Sequence, residues 1–145
     1  CRADGTDIRL FGRKPMHFQW YDDDTLFGHD SEVEDGLPNN RELRRWRRDG
    51  TVVETLAGRG CHPAMSPDRQ WIATESWYGS DPVRLKLYRR GSLTPDRILA
   101  ILSPVDAIWD LRAHVNPAFS PDGRRVYFMR PVGTGLSQAC YVELD

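Results

Sequence analysis

The stretch Cys61 His62 Pro63 Ala64 Met65 Ser66 Pro67 Asp68 is stated again as Val115 Asn116 Pro117 Ala118 Phe119 Ser120 Pro121 Asp122, with Gly123 behind it. The copies share Pro-Ala-x-Ser-Pro-Asp at an offset of 54 residues, and the register runs on into the apolar stretch that follows, where Ile72 matches Val126 and Thr74 matches Phe128. A worn third copy, His17 Phe18 Gln19 Trp20 Tyr21 Asp22 Asp23, stands 45 residues before His62. Asp4 Gly5 Thr6 and Asp49 Gly50 Thr51 give that second offset independently. Repeats of about 40–50 residues that each hold several short strands point to propeller blades rather than helical solenoids.

Working outward, a chain of 145 residues is read as one domain with a usable core. Its 20 basic and 21 acidic side chains nearly cancel, so there is no field for a polyanion and nucleic acid is not an expected partner. No apolar run approaches the roughly 20 residues that cross a bilayer, and no signal-peptide pattern opens the chain. Its first residues fall inside a repeat, so a targeting segment of a parent protein would precede them. Cys1, Cys61 and Cys140 show neither a paired framework nor metal-finger spacing. The compartment is left open, the cytoplasm being favoured over the periplasm.

The expected fold is all-β, a partial β-propeller of about three four-stranded antiparallel blades belonging to a larger ring. Residues 1–12 would be the outer strand of a preceding blade, with blades over 13–57, 58–103 and 104–145. In the first, His17 opens the inner strand, Thr25 to Gly28 is the second, Asp30 to Asn40 a long polar loop, Glu42 to Arg47 the third and Val52 to Leu56 the fourth. The arginines at 44, 45, 47 and 48 are read as a solvated outer face. In the second, the strands are His62 to Ser66, Trp71 to Glu75, Val83 to Arg89, where Val83, Leu85 and Leu87 alternate with Arg84, Lys86 and Tyr88, and Arg97 to Leu102. The last has strands near Pro117 to Ser120, Arg125 to Met129 and Ala139 to Leu144. Propellers take about four to eight blades, so three would not close a ring. A chain of this length alone is therefore expected to associate or unfold readily, with upstream blades of the parent as its first partners.

The two ends of such blades differ in chemistry. Ser-Pro-Asp and Asp-Gly-Thr lie at one end, and turn chemistry explains them without a function: Pro presets φ, Asp bonds nearby backbone and Gly accepts positive φ. At the other end His17, His62 and Asn116 share one repeat position in successive blades and should converge on the channel, with His114 two residues before Asn116 on the same side. Arg59 and Arg112, with Trp77, Tyr78 and Arg130, would rim that mouth. Three imidazoles and an amide suit a transition metal; the equally weighted alternative is a set of framework residues capping strand ends. His29 stands outside the register and is read as incidental.

The phrases HPxxSPD and HxNPxFSPDG, spaced as here, resemble the C-terminal half of the oligogalacturonate lyase family. These are seven-bladed propellers that cleave short pectin fragments by β-elimination with a bound divalent metal, typically manganese. The resemblance implies that His17 is the base, that His62 before Pro63 is a metal ligand, and that the family's Gln-x-x-His-x-His-Pro corresponds to Leu111 Arg112 Ala113 His114 Val115 Asn116 Pro117. Leu111 then replaces a glutamine ligand and Asn116 a histidine, leaving His62 and His114 as the strong donors of a weak or altered site. The implied substrate is an oligogalacturonide or another acidic oligosaccharide, its carboxylate met by Arg59 or Arg112 and a sugar face by Trp77 or Tyr78. A rival from another class is a non-catalytic TolB-like propeller that uses the same mouth to dock a protein or ligand. A prolyl-peptidase propeller would need a nucleophile elbow, and no GxSxG occurs.

Overall fold

The computed structural model describes residues 4–6, 15–30, 42–76, 82–102, 114–133 and 136–145. Among these residues there are eleven strands and no helix, in three antiparallel sheets that follow one another along the chain. The first sheet holds β1 (Pro15–Trp20), β2 (Thr25–Asp30), β3 (Glu42–Arg47) and β4 (Val52–Arg59). The second holds β5 (Ala64–Met65), β6 (Trp71–Glu75), β7 (Val83–Arg89) and β8 (Arg97–Leu102). The third holds β9 (Ala118–Phe119), β10 (Arg125–Gly133) and β11 (Leu136–Glu143). Each sheet is a meander, with sequence neighbours side by side.

Several expected strands fall where the pattern puts them, β3, β6, β7 and β8 among them. The inner strands of the second and third sheets are shorter than expected. Pro63 and Pro117 have no N–H to give a ladder, so β5 pairs only as Ala64↔Ala73 and Met65↔Ile72, and β9 only as Phe119↔Val126 and Ala118↔Tyr127. By contrast β10 and β11 run long, from Arg125↔Glu143 to Gly133↔Leu136. Pro131 is tolerated there because the register shifts beside it. In the first sheet β2 continues past Gly28 to Asp30 and so takes in His29.

The Ser-Pro-Asp turns are duplicates at atomic detail. Ser66 Oγ donates to Asp68 Oδ1 at 2.5 Å and accepts from Trp71 N at 2.9 Å, while Gln70 N donates to Asp68 Oδ1 at 3.0 Å. Ser120, Asp122, Arg124 and Arg125 repeat these bonds at 2.6, 2.9 and 3.0 Å. The serine hydroxyls, foremost, hold both aspartates below the ordinary carboxylate range. After each aspartate the backbone enters the left-handed region, at Arg69 with φ 59° and at Gly123 with φ 73°. A Cβ at Gly123 would meet only Pro67 Cδ at 3.6 Å, an ordinary contact. Gly123→Ala should therefore cost only the backbone term, about 1–2 kcal/mol, read as a lower midpoint in denaturant. Arg69→Gly relieves that same strain but loses the Arg69 guanidinium 4.7 Å from the Tyr21 ring centroid, worth about 0.5–1 kcal/mol, and frees the unfolded chain by a similar amount. It should be nearly neutral.

The sheets pack face to face with the second in the middle. Tyr21, Phe27, Leu43, Leu56 and Ala57 of the first meet Ile72 and Tyr88 of the second. Ala73, Val83, Leu85, Leu87 and Leu102 of the second meet Val115, Val126 and Phe128. The β7 side chains divide as the alternation requires, Val83, Leu85 and Leu87 going to one core and Tyr88 to the other.

The arginine run is not one solvated face. Arg47 and Arg48 are exposed, but Arg45 turns inward. It bonds Thr25 Oγ1 at 2.8 Å, Asp22 Oδ2 at 2.7 Å and Glu54 Oε1 at 3.0 Å, and lies 4.1 Å from the Tyr21 centroid. Arg90, in the turn just after β7, joins the same Glu54 at 2.7 Å, tying the first sheet to the second. Burial alone would push the Glu54 carboxyl up, but the bonds from Arg90 and Arg45 outweigh it and hold the group low.

Candidate functional site

All four histidines of the chain, His17, His29, His62 and His114, form one contiguous row. His17 sits in a β-bulge: Met16 pairs with His29 and Gln19 with Phe27, so His17 and Phe18 together face Gly28, and His17 has φ 50°. Histidine is among the residues that tolerate this region, and bulges re-aim side chains. Its ring meets His29 with centroids 4.9 Å apart at 70° and His62 at 4.1 Å and 36°. His17 is exposed, whereas His29 is fully buried.

His62 is fixed by its surroundings rather than by a strand. Cys61 N donates to Glu75 O at 3.0 Å, which hooks the chain just before His62 to the end of β6. Gln19 Nε2 donates to Pro63 O at 3.0 Å, which sets the His62 segment against β1 of the neighbouring sheet. Glu75 is fully buried, and its Oε1 takes a short bond from His62 Nδ1. From the third repeat, Val115 is buried in the core and its carbonyl accepts from Met129 N at 2.8 Å. That anchors His114, whose Nδ1 lies 3.3 Å from His62 Nε2 with ring centroids 5.0 Å apart.

Of the residues the sequence singles out, His17, His62 and His114 are therefore brought together. Asn116 is exposed with φ 42° and makes no hydrogen bond to the row; asparagine is a residue that accepts such backbone. Arg59 and Arg130 are exposed and neither is hydrogen-bonded to the imidazoles. The Arg59 carbonyl instead accepts from Lys86 Nζ and from Tyr88 Oη at 3.2 Å. Trp77, Tyr78, Leu111 and Arg112 lie outside the described residues. The reading of His29 as incidental is corrected: β2 carries it into contact with His17, Nε2 to Nδ1 at 2.8 Å. Glu75 was missed. The signal for it is the register, since counting back from Ala64↔Ala73 sets Glu75 across from His62.

Burial, foremost, and then the neighbouring His62 hold the His114 imidazolium below the ordinary histidine value, with Glu75 pulling partly the other way. Unfolded His114 therefore binds a proton more readily than folded His114, so stability rises with pH across this window. The denaturation midpoint should fall between about pH 7.5 and about pH 5.5, and His114→Asn should flatten that dependence. An equal slope in the variant would remove His114 as its source. Burial, foremost, holds the Lys86 ammonium below the usual lysine range, partly offset by Cys61 and Glu75.

The donor set allows a limited metal chemistry. His62 Nε2 and His114 Nδ1 face one another at 3.3 Å, so these are the two nitrogens that would hold a divalent cation once the proton between them has left. Glu75 is spent on His62 Nδ1, the usual place of an outer carboxylate behind a histidine ligand. Among the described residues no three His, Cys, Asp or Glu side chains are set around a common point for a metal ion. No protein-family model and no curated protein matches the chain.

Proposed function

We propose that the three sheets are blades of a larger β-propeller and that the imidazole row is the mouth of a lyase site for acidic oligosaccharides of the oligogalacturonide type. The observation that carries the reading is the convergence of His17, His62 and His114 from three successive repeats, one exposed and two partly sheltered. β-Elimination removes the proton beside a uronate carboxylate. It needs a base near neutrality and positive charge at that carboxylate. His17 is the exposed imidazole and takes the role of base. His62 and His114 would hold a divalent cation such as manganese, which supplies the positive charge. Arg59, Arg112 and Arg130 are the candidates to pair the sugar carboxylates through their forked donors, and Trp77 and Tyr78 to stack on a sugar face.

A second reading, a docking propeller without catalysis, is favoured by one observation: His17, His29, His62 and His114 bond or stack on one another, as framework residues do. The assay that separates the two is the rise in ultraviolet absorbance of the unsaturated uronate product, followed while folded protein meets oligogalacturonides across a series of divalent-cation concentrations. A cation-dependent rise is expected. No rise at any cation concentration would leave the docking module.

A further inference from the structure

One device is built twice beneath the imidazole row. At the head of the first sheet His17 Nδ1 meets His29 Nε2 at 2.8 Å, and at the head of the second His62 Nδ1 meets Glu75 Oε1. Each partner is fully buried, and each stands near the end of its sheet's second strand, 12 residues after His17 and 13 after His62. Each contact engages Nδ1 rather than Nε2. The third repeat lacks the device at both ends: Asn116 replaces the histidine, and at the 54-residue offset Glu75 becomes Met129, whose thioether is a poor partner.

We propose that His29 and Glu75 are positioning residues that hold His17 and His62 in the Nδ1–H tautomer, with the lone pair on Nε2. A carboxylate only accepts, so with Glu75 in that form the contact places the proton on His62 Nδ1. His62 Nε2 is then an acceptor, which agrees with His114 Nδ1 donating to it across 3.3 Å. His29 does the same for His17 when its own Nε2 is the bare nitrogen. The consequence is that the atom His17 presents as a base and the atom His62 presents to a cation are both Nε2. The role of each in catalysis rests on the lyase reading; the tautomers do not.

Long-range proton–nitrogen correlation spectra of protein labelled with 15N-histidine, taken near pH 8 without substrate or metal, read each tautomer directly. His17 and His62 should both report Nδ1–H. Glu75→Gln, which can donate as well as accept, should shift His62 toward Nε2–H, while Glu75→Asp should keep it. His29→Leu should release His17, and His29→Glu, whose ionised carboxylate only accepts, should restore it. In the assay with cation, Glu75→Gln should weaken the apparent cation affinity about 10–100-fold, and His29→Leu should lower kcat with KM unchanged. Nε2–H on either histidine in the unsubstituted protein would overturn the assignment, as would tautomers indifferent to Glu75→Gln and His29→Leu. Tautomers as assigned in a protein without lyase activity would instead uphold it and remove the lyase reading.

Discussion

Gly58→Ala should destabilise the protein by about 3 kcal/mol, the upper end of the usual cost of overpacking, and should loosen the first sheet from the second. A Cβ on Gly58 would lie 2.2 Å from the Leu93 carbonyl oxygen and 3.0 Å from both its carbon and Tyr88 Cε1. The principal obstacle is backbone, which cannot swing aside as a side chain can. That backbone is also the latch between the sheets: Gly58 N donates to Ser92 O at 3.1 Å, Gly91 N to Leu56 O at 2.6 Å, and Ala57 forms a parallel bridge with Ser92. Pushing Leu93 outward strains all three contacts together. Denaturant melts measure the loss, and amide exchange should show Gly58 and Gly91 losing protection before the amides of β7. A change under about 0.5 kcal/mol, the size of an ordinary surface substitution, would mean that the latch is not as drawn.

On the proposed lyase reading, His17→Ala should lower the rate by about 10²–10⁴-fold, the usual contribution of a positioned base, at every cation concentration. His62→Ala should behave differently. It removes a donor and leaves the base, so its main effect should be a higher cation concentration for half-maximal rate, with part of the rate recovered at saturation. The contrast carries more than either loss alone, because a folding defect would lower both variants without separating their cation dependence. Identical cation curves for the two would contradict the division of labour between base and donor.

The repeat made much of this legible. Two offsets placed the second and fourth strands of the second sheet, and one shared repeat position brought His17 to His62, because equivalent residues of stacked repeats become neighbours. His29 was hidden for a local reason. The bulge at His17 inserts a residue into β1, so counting by twos along β1 and β2 no longer says which side chains meet. Glu75 was hidden by its company, the last residue of a strand otherwise reading as core, Trp71–Glu75. Only the pairing register reveals that its carboxylate lies across from His62. Asn116 shows the reverse, since it holds the right repeat position yet stands exposed before β9. Arg45 went unread because the arginine run looks uniform, whereas its partner Glu54 comes from β4 and the Tyr21 ring from the turn between β1 and β2.

The proposed reading turns on one point: within the row of four imidazoles, His62 and His114 would take a divalent cation. Manganese is paramagnetic and broadens the resonances of nuclei near it, so a titration of histidine-labelled protein with Mn²⁺ tests the claim without substrate. At Mn²⁺ well below one equivalent, the His62 and His114 signals should broaden first and those of His17 and His29 after them, while amides of β11 stay sharp. Histidine signals that remain sharp in folded protein under a large excess of Mn²⁺ would contradict the account.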